Sequence, residues 1–128
     1  MSDPAYERGL RVRREVLGDA HVDRALASAT DFTADFQDFI TRYAWGEVWT
    51  RPGLDRKTRS CMTMTALIAA GRLDELEMHV RAALRIGLTP DEIKEVILHS
   101  AIYCGVPAAN SAFAVAQRAI SGQEDPGG

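Results

Sequence analysis

The sequence predicts an all-α fold, and three observations support that prediction. Signals for strands are nearly absent, since there is no run of alternating β-branched residues and no Asn-Gly or Asp-Gly turn. Apolar residues instead recur every three or four positions in several segments, which is the spacing of one helix face. Thr89 and Glu92 flank a Pro-Asp pair, a pattern typical of the capping box that begins a helix. We therefore expect at least five helices and no sheet of consequence.

The first part of the chain predicts two short helices and one longer helix with an aromatic face. Residues 6–16 and 21–27 show short helical patterns. The segment 32–43 is predicted to be a helix whose large apolar side chains share one face. Those side chains are Phe32, Phe36, Phe39, Ile40 and Tyr43. Such a face needs a surface to pack against.

Beyond a break at residues 51–53 (Arg-Pro-Gly), the chain predicts a compact set of four helices. The first, residues 55–70, ends in MTALIAA, which is apolar nearly all round and indicates burial on several sides. The second, residues 73–86, has one apolar stripe and a C-terminal stop at Gly87. That stripe consists of Leu76, Val80, Ala83 and Leu84.

The last two predicted helices are marked by their ends. The third has Thr89 as its cap and Pro90 at its first position, and it ends at Gly105. Its apolar side would bury Ile93, Val96, Ile97 and Ser100. The fourth, residues 108–120, is rich in alanine and suited to close packing. We expect a single domain over residues 1–128, with residues 1–4 and 122–128 frayed at its ends.

Composition and motifs exclude several classes of function. With 15 basic and 18 acidic residues the net charge is −3, so no nucleic-acid partner is expected. No apolar run approaches the roughly 18 residues of a membrane span. The charged N-terminal segment also lacks the apolar middle of a signal peptide, so we expect a cytoplasmic protein without a membrane partner. The spacing of the histidines and cysteines predicts no metal site, and no nucleotide-binding or hydrolase motif occurs.

His79 and Glu47 are the side chains best suited to acid–base chemistry. His79 lies at the edge of a predicted core stripe with Glu75 four positions before it, where it could transfer protons near neutral pH. A boundary histidine next to a surface ion pair is the alternative. Glu47 either continues the aromatic helix on its apolar face, where a carboxylate needs a partner, or turns into solvent after Gly46. For His99 we expect a structural role.

One run of the sequence is more specific than any periodicity. Residues 45–60 read WGEVWTRPGLDRKTRS, and EMHVRAAL at 77–84 and IYCGVPAA at 102–109 follow. Together these segments resemble the carboxymuconolactone decarboxylase family over about residues 5–121. The first block is much more specific than the later helices, whose pattern is shared by the wider alkylhydroperoxidase D-like superfamily.

The resemblance implies an alkylhydroperoxidase D-like helical bundle, a homo-oligomer such as a trimer or a hexamer, and no cofactor. It also implies decarboxylation of 4-carboxymuconolactone to the 4-oxoadipate enol-lactone in the protocatechuate branch of the β-ketoadipate pathway. The peroxidases of the superfamily have a CxxC pair shortly before the histidine. This chain has Arg72 and Glu75 at those positions, so a thiol mechanism there lacks its nucleophile. Cys61 and Cys104 are expected to be buried structural thiols.

The chemistry of such a lactone suggests roles for residues of this chain. When CO₂ leaves, the electron pair flows to the lactone carbonyl, so the protein must hold a spectator carboxylate, stabilise the oxygen and protonate a ring carbon. The candidates are His79 and Glu47 as catalytic residues, Arg51 and Arg81 as carboxylate anchors, and Trp45 and Trp49 as substrate contacts. Two alternatives stay open: a non-catalytic helical oligomer that binds a small anion, and a thiol-dependent peroxidase that uses Cys61 or Cys104.

Overall fold

A computed structural model of the chain describes residues 3–122, and every regular element in that range is helical. The elements are α1 (Pro4–Leu17), α2 (Asp19–Ala27), α3 (Ala34–Ile40), a π-helix (Thr41–Val48), α4 (Arg56–Ala70), α5 (Leu73–Arg85), α6 (Pro90–Cys104) and α7 (Val106–Gly122). The predicted all-α fold is confirmed. Of the residues expected to fray, 1–2 and 123–128 lie outside the described residues, whereas Pro4 and Gly122 belong to α1 and α7.

The chain divides into two compact units, Met1–Asp55 and Arg56–Gly128, which we name the N-terminal and C-terminal units. The division falls just after the Arg-Pro-Gly break that the sequence indicates at residues 51–53. The single domain over residues 1–128 stays a prediction. Each helix of the described chain is too short or too polar to cross a membrane.

In the N-terminal unit, α1 packs closely along the π-helix. The side chain of Asp3 accepts a hydrogen bond from the backbone N–H of Ala5 at 3.1 Å and so caps α1. Farther along α1, Gly9 faces the π-helix so closely that a Cβ atom there would collide with the carbonyl oxygen of Thr41. A Cβ atom on Gly46 would collide with the carbonyl oxygen of Ala5. Both positions therefore require glycine, which has no side chain to separate the backbones.

A buried arginine ties α1 to the junction between α3 and the π-helix. Arg13 is only 3% exposed, and its Nη1 donates a hydrogen bond to Oγ1 of Thr41 at 3.2 Å. The Thr41 hydroxyl in turn donates to the carbonyl oxygen of Gln37 at 2.7 Å. Burial lowers the pKa of Arg13 below the ordinary value of an arginine.

The aromatic segment differs from its prediction in two respects. The helix begins at Ala34 rather than at residue 32, and Phe32, which precedes it, is almost fully exposed. Beyond Ile40 the helix widens into the π-form, in which the N–H of residue i+5 bonds to the carbonyl of residue i. The N–H of Trp49 continues this spacing and donates to Ala44 O at 2.9 Å. The aromatic side chains Phe36, Phe39 and Tyr43 are also exposed, at 61%, 53% and 51%.

In the C-terminal unit, α4 to α7 enclose one apolar core. Helix α5 packs against α4 and α7, and α6 packs against the same two helices. The predicted core stripes are confirmed, because their central residues are buried. Those residues are Leu76, Val80 and Ala83 of α5 and Ile93, Ile97 and Ser100 of α6.

The ends of the helices in the C-terminal unit follow the local signals of the sequence. The predicted capping box is present, since Thr89 Oγ1 accepts from the N–H of Glu92 at 3.1 Å and Glu92 Oε1 accepts from the N–H of Thr89 at 2.9 Å. Gly105 ends α6 with a φ of 98°, a conformation that favours glycine. The last helix begins at Val106, two residues before the predicted start.

Candidate functional site

The candidate site residues are divided between the two units. Trp45, Glu47, Trp49 and Arg51 belong to the N-terminal unit, and His79 and Arg81 belong to the C-terminal unit. The first group is positioned by the π-helix and the loop that follows it, and the second group is positioned by α5.

Glu47 lies in the π-helix and forms an ion pair with Arg8 of α1. The Nη2 of Arg8 donates to Oε1 of Glu47 at 3.0 Å, and its Nε donates to the carbonyl oxygen of Gly46 at 2.9 Å. The Glu47 side chain is 53% exposed. Of the two alternatives for Glu47, the structure combines one part of each: the helix continues past Gly46, yet the carboxylate reaches solvent. The aromatic face on which α-helical spacing places Glu47 is itself exposed, since Phe39 is 53% and Tyr43 is 51% exposed.

The two tryptophans of the candidate site stack on each other. The rings of Trp45 and Trp49 have centroids 4.8 Å apart and planes 30° apart. Trp45 is buried and Trp49 is half-buried, so the pair joins the interior of the N-terminal unit to its surface. Arg51 follows in the exposed loop, where its N–H donates to the carbonyl of Val48 at 3.1 Å. The stack offers a flat apolar surface close in sequence to a guanidinium group.

His79 lies on α5 at the edge of the core, as the sequence predicts. Its neighbours Leu76 and Val80 are fully buried, while the imidazole itself is half-buried. The Nδ1 atom of the ring is among the buried polar atoms of the unit. Glu75, one turn before it, is exposed. A histidine at this position is partly shielded from water and can still contact a small ligand.

Arg81 belongs to a different cluster from His79. Its Nη2 donates to Oε2 of Glu77 at 3.0 Å, and the Nε of Arg118 on α7 donates to Oε1 of the same carboxylate at 3.2 Å. Residues two positions apart on a helix do not face each other, so Arg81 and His79 lie on different sides of α5. The structure brings Arg81 and Arg118 together on the carboxylate of Glu77.

A cleft of about 660 Å³ opens between α4 and α6 of the C-terminal unit. Most of its lining is apolar, and its polar groups include Glu92, Glu95 and His99. The described residues that line it include no arginine or lysine, and His79 does not line it. The acidic groups disfavour a dicarboxylate ligand here. His99 is exposed and contacts the ring of Tyr103 at a centroid distance of 5.3 Å.

Both cysteines are free thiols packed against the core of the C-terminal unit. Cys61 and Cys104 are each half-buried rather than fully buried as expected. Among residues 3–122, no cluster of His, Cys, Asp or Glu side chains is arranged to hold a metal ion.

Sequence reasoning missed Arg8 and the π-helix. Arg8 is 38 and 39 residues away from its two partners, Gly46 and Glu47, so no local spacing could indicate the contact. The glycine at position 46 was the one local signal, because a residue without a side chain allows another backbone to approach closely.

Comparison with known proteins gives a consistent result. The model of the carboxymuconolactone decarboxylase family matches residues 34–118, a range that includes every candidate site residue. The chain is 56% identical over 112 residues to 4-carboxymuconolactone decarboxylase of Acinetobacter baylyi, covering 88% of this chain and 84% of that protein. It is 45% identical over 122 residues to a nitrosuccinic acid decarboxylase of Metarhizium robertsii, covering 95% and 85%. It is also 57% identical over 42 residues to 4-carboxymuconolactone decarboxylase of Pseudomonas putida, covering 33% and 88%.

Proposed function

Because the chain belongs to the carboxymuconolactone decarboxylase family, we propose that it removes CO₂ from 4-carboxymuconolactone to give the 4-oxoadipate enol-lactone. The observation that best supports the proposal is the 56% identity, over 88% of this chain, to a decarboxylase named for that substrate. The reaction belongs to protocatechuate catabolism, as the sequence resemblance implies.

The substrate itself can accept the electron pair that is released when CO₂ leaves. One ring carbon, next to the ring oxygen, bears both a carboxylate and a carboxymethyl arm. The bond from that carbon to the carboxylate breaks, CO₂ leaves, and the electron pair moves through the ring double bond to the lactone carbonyl. A proton then adds to the ring carbon beside the carbonyl. Since the lactone accepts the electron pair, the mechanism requires no cofactor.

His79 is the residue that donates a proton, or a hydrogen bond, as charge reaches the lactone oxygen. Its half-buried position supports this role, because hydrogen bonds to developing charge are stronger where water is partly excluded. Glu47 is the second candidate for the acid–base chemistry, either as a general acid or as an orienting group.

Arg51 and Arg81 are the two candidates to bind the spectator carboxymethyl group, since guanidinium groups pair with carboxylates in bidentate geometry. A substrate carboxylate at Arg81 would compete with Glu77, its present partner at 3.0 Å. The stacked rings of Trp45 and Trp49 would contact the lactone ring. The departing carboxylate should meet apolar groups, because an ion pair to it would stabilise the ground state.

Nitrosuccinic acid is a second candidate substrate, because a relative that is 45% identical over 95% of this chain is named for its decarboxylation. There CO₂ would leave a carbon attached directly to a nitro group, which accepts the electron pair as the conjugated carbonyl does in the lactone. The higher identity to the lactone decarboxylase favours the lactone. The anion-binding and peroxidase alternatives are not favoured by these relatives.

The direct test supplies the purified chain with each substrate in turn and measures CO₂ release. We expect a higher kcat/KM for the lactone than for nitrosuccinic acid, and in D₂O one deuterium on the ring carbon beside the carbonyl. No CO₂ from the lactone with a folded protein would overturn the proposal. Faster turnover of nitrosuccinic acid would make that acid the preferred substrate, and the protein would still be a decarboxylase. Hydroperoxide turnover that disappears with Cys61→Ser would instead support the peroxidase.

The assembly and the location of the protein stay predictions. We expect a homo-oligomer, a trimer or a hexamer, in the cytoplasm and without nucleic acid as a partner. Exposed apolar side chains support an oligomer, since isolated monomers rarely leave so many large apolar groups in water.

A further inference from the structure

The guanidinium of Arg8 bridges two consecutive residues of the π-helix. Its Nε donates to the carbonyl oxygen of Gly46 at 2.9 Å, and its Nη2 donates to Oε1 of Glu47 at 3.0 Å. The hydroxyl of Thr50 donates to the same Gly46 carbonyl at 2.8 Å. One planar group thus fixes a backbone oxygen and a carboxylate at the same time, which a lysine could not do.

The backbone below this bridge is already fixed by the glycine contacts between α1 and the π-helix. Gly9 follows Arg8 directly, and Gly46 precedes Glu47 directly. The lack of room for a Cβ atom on either glycine shows that the two backbones are in direct contact. Because the helices are packed this closely, the Cα atoms of Arg8 and Glu47 have little freedom to move apart. The side chains of Arg8 and Glu47 are therefore constrained by the fixed positions of their Cα atoms and by the ion pair between their charged groups.

The exposure of the pair argues against a mainly stabilising role. The side chains of Arg8 and Glu47 are 39% and 53% exposed, and ion pairs this open contribute little to folding. Their geometry is nevertheless specific. Among the hydrogen bonds of the described residues, Oε1 of Glu47 accepts from Arg8, which leaves Oε2 to receive a proton or a hydrogen bond.

We infer that Arg8 is a positioning residue for Glu47: it selects one rotamer of the carboxylate and presents Oε2 to the reaction. The inference rests on the proposed function, in which Glu47 is an acid–base or orienting group. Arg8 itself does not touch the substrate. Its effect on the rate passes through Glu47, because a small displacement of a reacting group is costly to the rate while the substrate still binds.

Steady-state kinetics of Arg8 variants test this inference. We expect Arg8→Ala to lower kcat about 10- to 100-fold, the size expected for misplacing a reacting group, with KM changed less. Arg8→Lys should fall between wild type and Arg8→Ala, because an ammonium cannot hold both acceptors at once. Arg14→Ala is the matched control. Arg14 lies on the same helix and pairs with Asp19 at 3.1 Å and Asp23 at 2.9 Å, away from the π-helix, so kcat should stay near wild type.

A double-mutant cycle separates positioning from a general structural effect. If Arg8 acts through Glu47, the variant Arg8→Ala/Glu47→Ala should turn over no more slowly than Glu47→Ala alone. A further tenfold loss in the double variant would overturn the inference, because Arg8 would then act independently of Glu47.

A readout that does not depend on turnover distinguishes this inference from the proposed function. In crystal structures, the Glu47 carboxylate should have one conformer in the wild type and several in Arg8→Ala, with the π-helix retained in both. One unchanged conformer in both proteins would refute positioning even if the lactone is decarboxylated. Loss of the single conformer would support positioning even if the wild type does not act on the lactone.

Discussion

Gly9 and Gly46 meet backbone to backbone: a Cβ atom on Gly9 would stand 2.9 Å from the backbone nitrogen of Gly46. That contact places α1 directly against the π-helix and brings Arg8 within reach of Glu47. The position of a candidate catalytic carboxylate thus depends on the absence of side chains at two other residues.

Alanine at either glycine should destabilise the fold. A methyl group at position 9 or 46 would meet backbone atoms that cannot rotate away, and such overpacking costs about 1–3 kcal/mol. The cost should exceed the roughly 1 kcal/mol that alanine gains over glycine inside a helix. Urea unfolding of Gly46→Ala measures it. Gly53→Ala is the control, because an added Cβ there has nothing within 4 Å. Equal midpoints for the two variants would contradict the close contact.

His79→Ala should lower kcat by roughly 10²–10⁴-fold, because it removes a donor that acts as charge reaches the lactone oxygen. KM should change less than kcat, since the interaction strengthens in the transition state. His99→Ala is the control, because His99 is exposed. Partial rescue by His79→Gln would favour hydrogen bonding over proton transfer. Near-wild-type turnover in a folded, assembled His79→Ala protein would exclude both proton donation and hydrogen-bond donation by His79.

Replacing Cys61 and Cys104 by serine should leave decarboxylation largely intact, because no proposed step uses sulfur. The unfolding free energy should fall modestly, since both thiols pack against the core of the C-terminal unit. Initial rates and urea unfolding of the double variant provide the measurement. A rate loss beyond about a hundredfold in a folded protein, as for removal of an acid–base group, would mean that a thiol takes part.

Stability should decrease as the pH falls below about 6.5, in part through His21. Burial, and then the charges of Arg13 and Arg24, hold the pKa of His21 below its ordinary value of 6.5. In that window the unfolded chain binds a proton that the folded chain does not, so protonation favours unfolding. His21→Gln should flatten the fall between about pH 7 and pH 5 in urea titrations. The same slope in both proteins would contradict the role of His21.

The native protein should be an oligomer by light scattering at micromolar concentration. In the C-terminal unit the exposed apolar side chains Leu98, Ile102, Tyr103 and Val106 lie on or just after α6, and the last three are each more than 70% exposed. Ile102→Glu should weaken the assembly if α6 takes part in it, whereas Asn110→Glu, at an exposed polar position of α7, should not. A monomeric mass for the wild type would refute the oligomer.

Helix ends in the C-terminal unit were predictable because their signals are local. Thr89 and Glu92 cap each other across three residues, and Gly87 and Gly105 stop helices where a positive φ is needed. The edge position of His79 followed equally from the spacing of its own helix.

The environment of Glu47 was not predictable from spacing. The sequence has no local signal for a π-helix, and it left open whether the helix continues with Glu47 on its apolar face or ends at Gly46. Its partner Arg8 comes from another helix, and Arg118, the second partner of Glu77, lies 41 residues from that carboxylate. Long-range pairs of this kind depend on how helices cross, which the periodicity of one helix does not specify.

The short connections of the C-terminal unit have a consequence for how quickly it forms. Two residues separate α4 from α5, four separate α5 from α6, and a single glycine separates α6 from α7. The short connections thus place α5 next to α4 and α7 next to α6, and for these two pairs little loop-closure entropy is lost before apolar contacts form. Helical bundles with such local contacts fold in microseconds to milliseconds. Once α7 has been synthesised, the apolar segments of this unit should therefore be covered quickly, before neighbouring chains can aggregate through them.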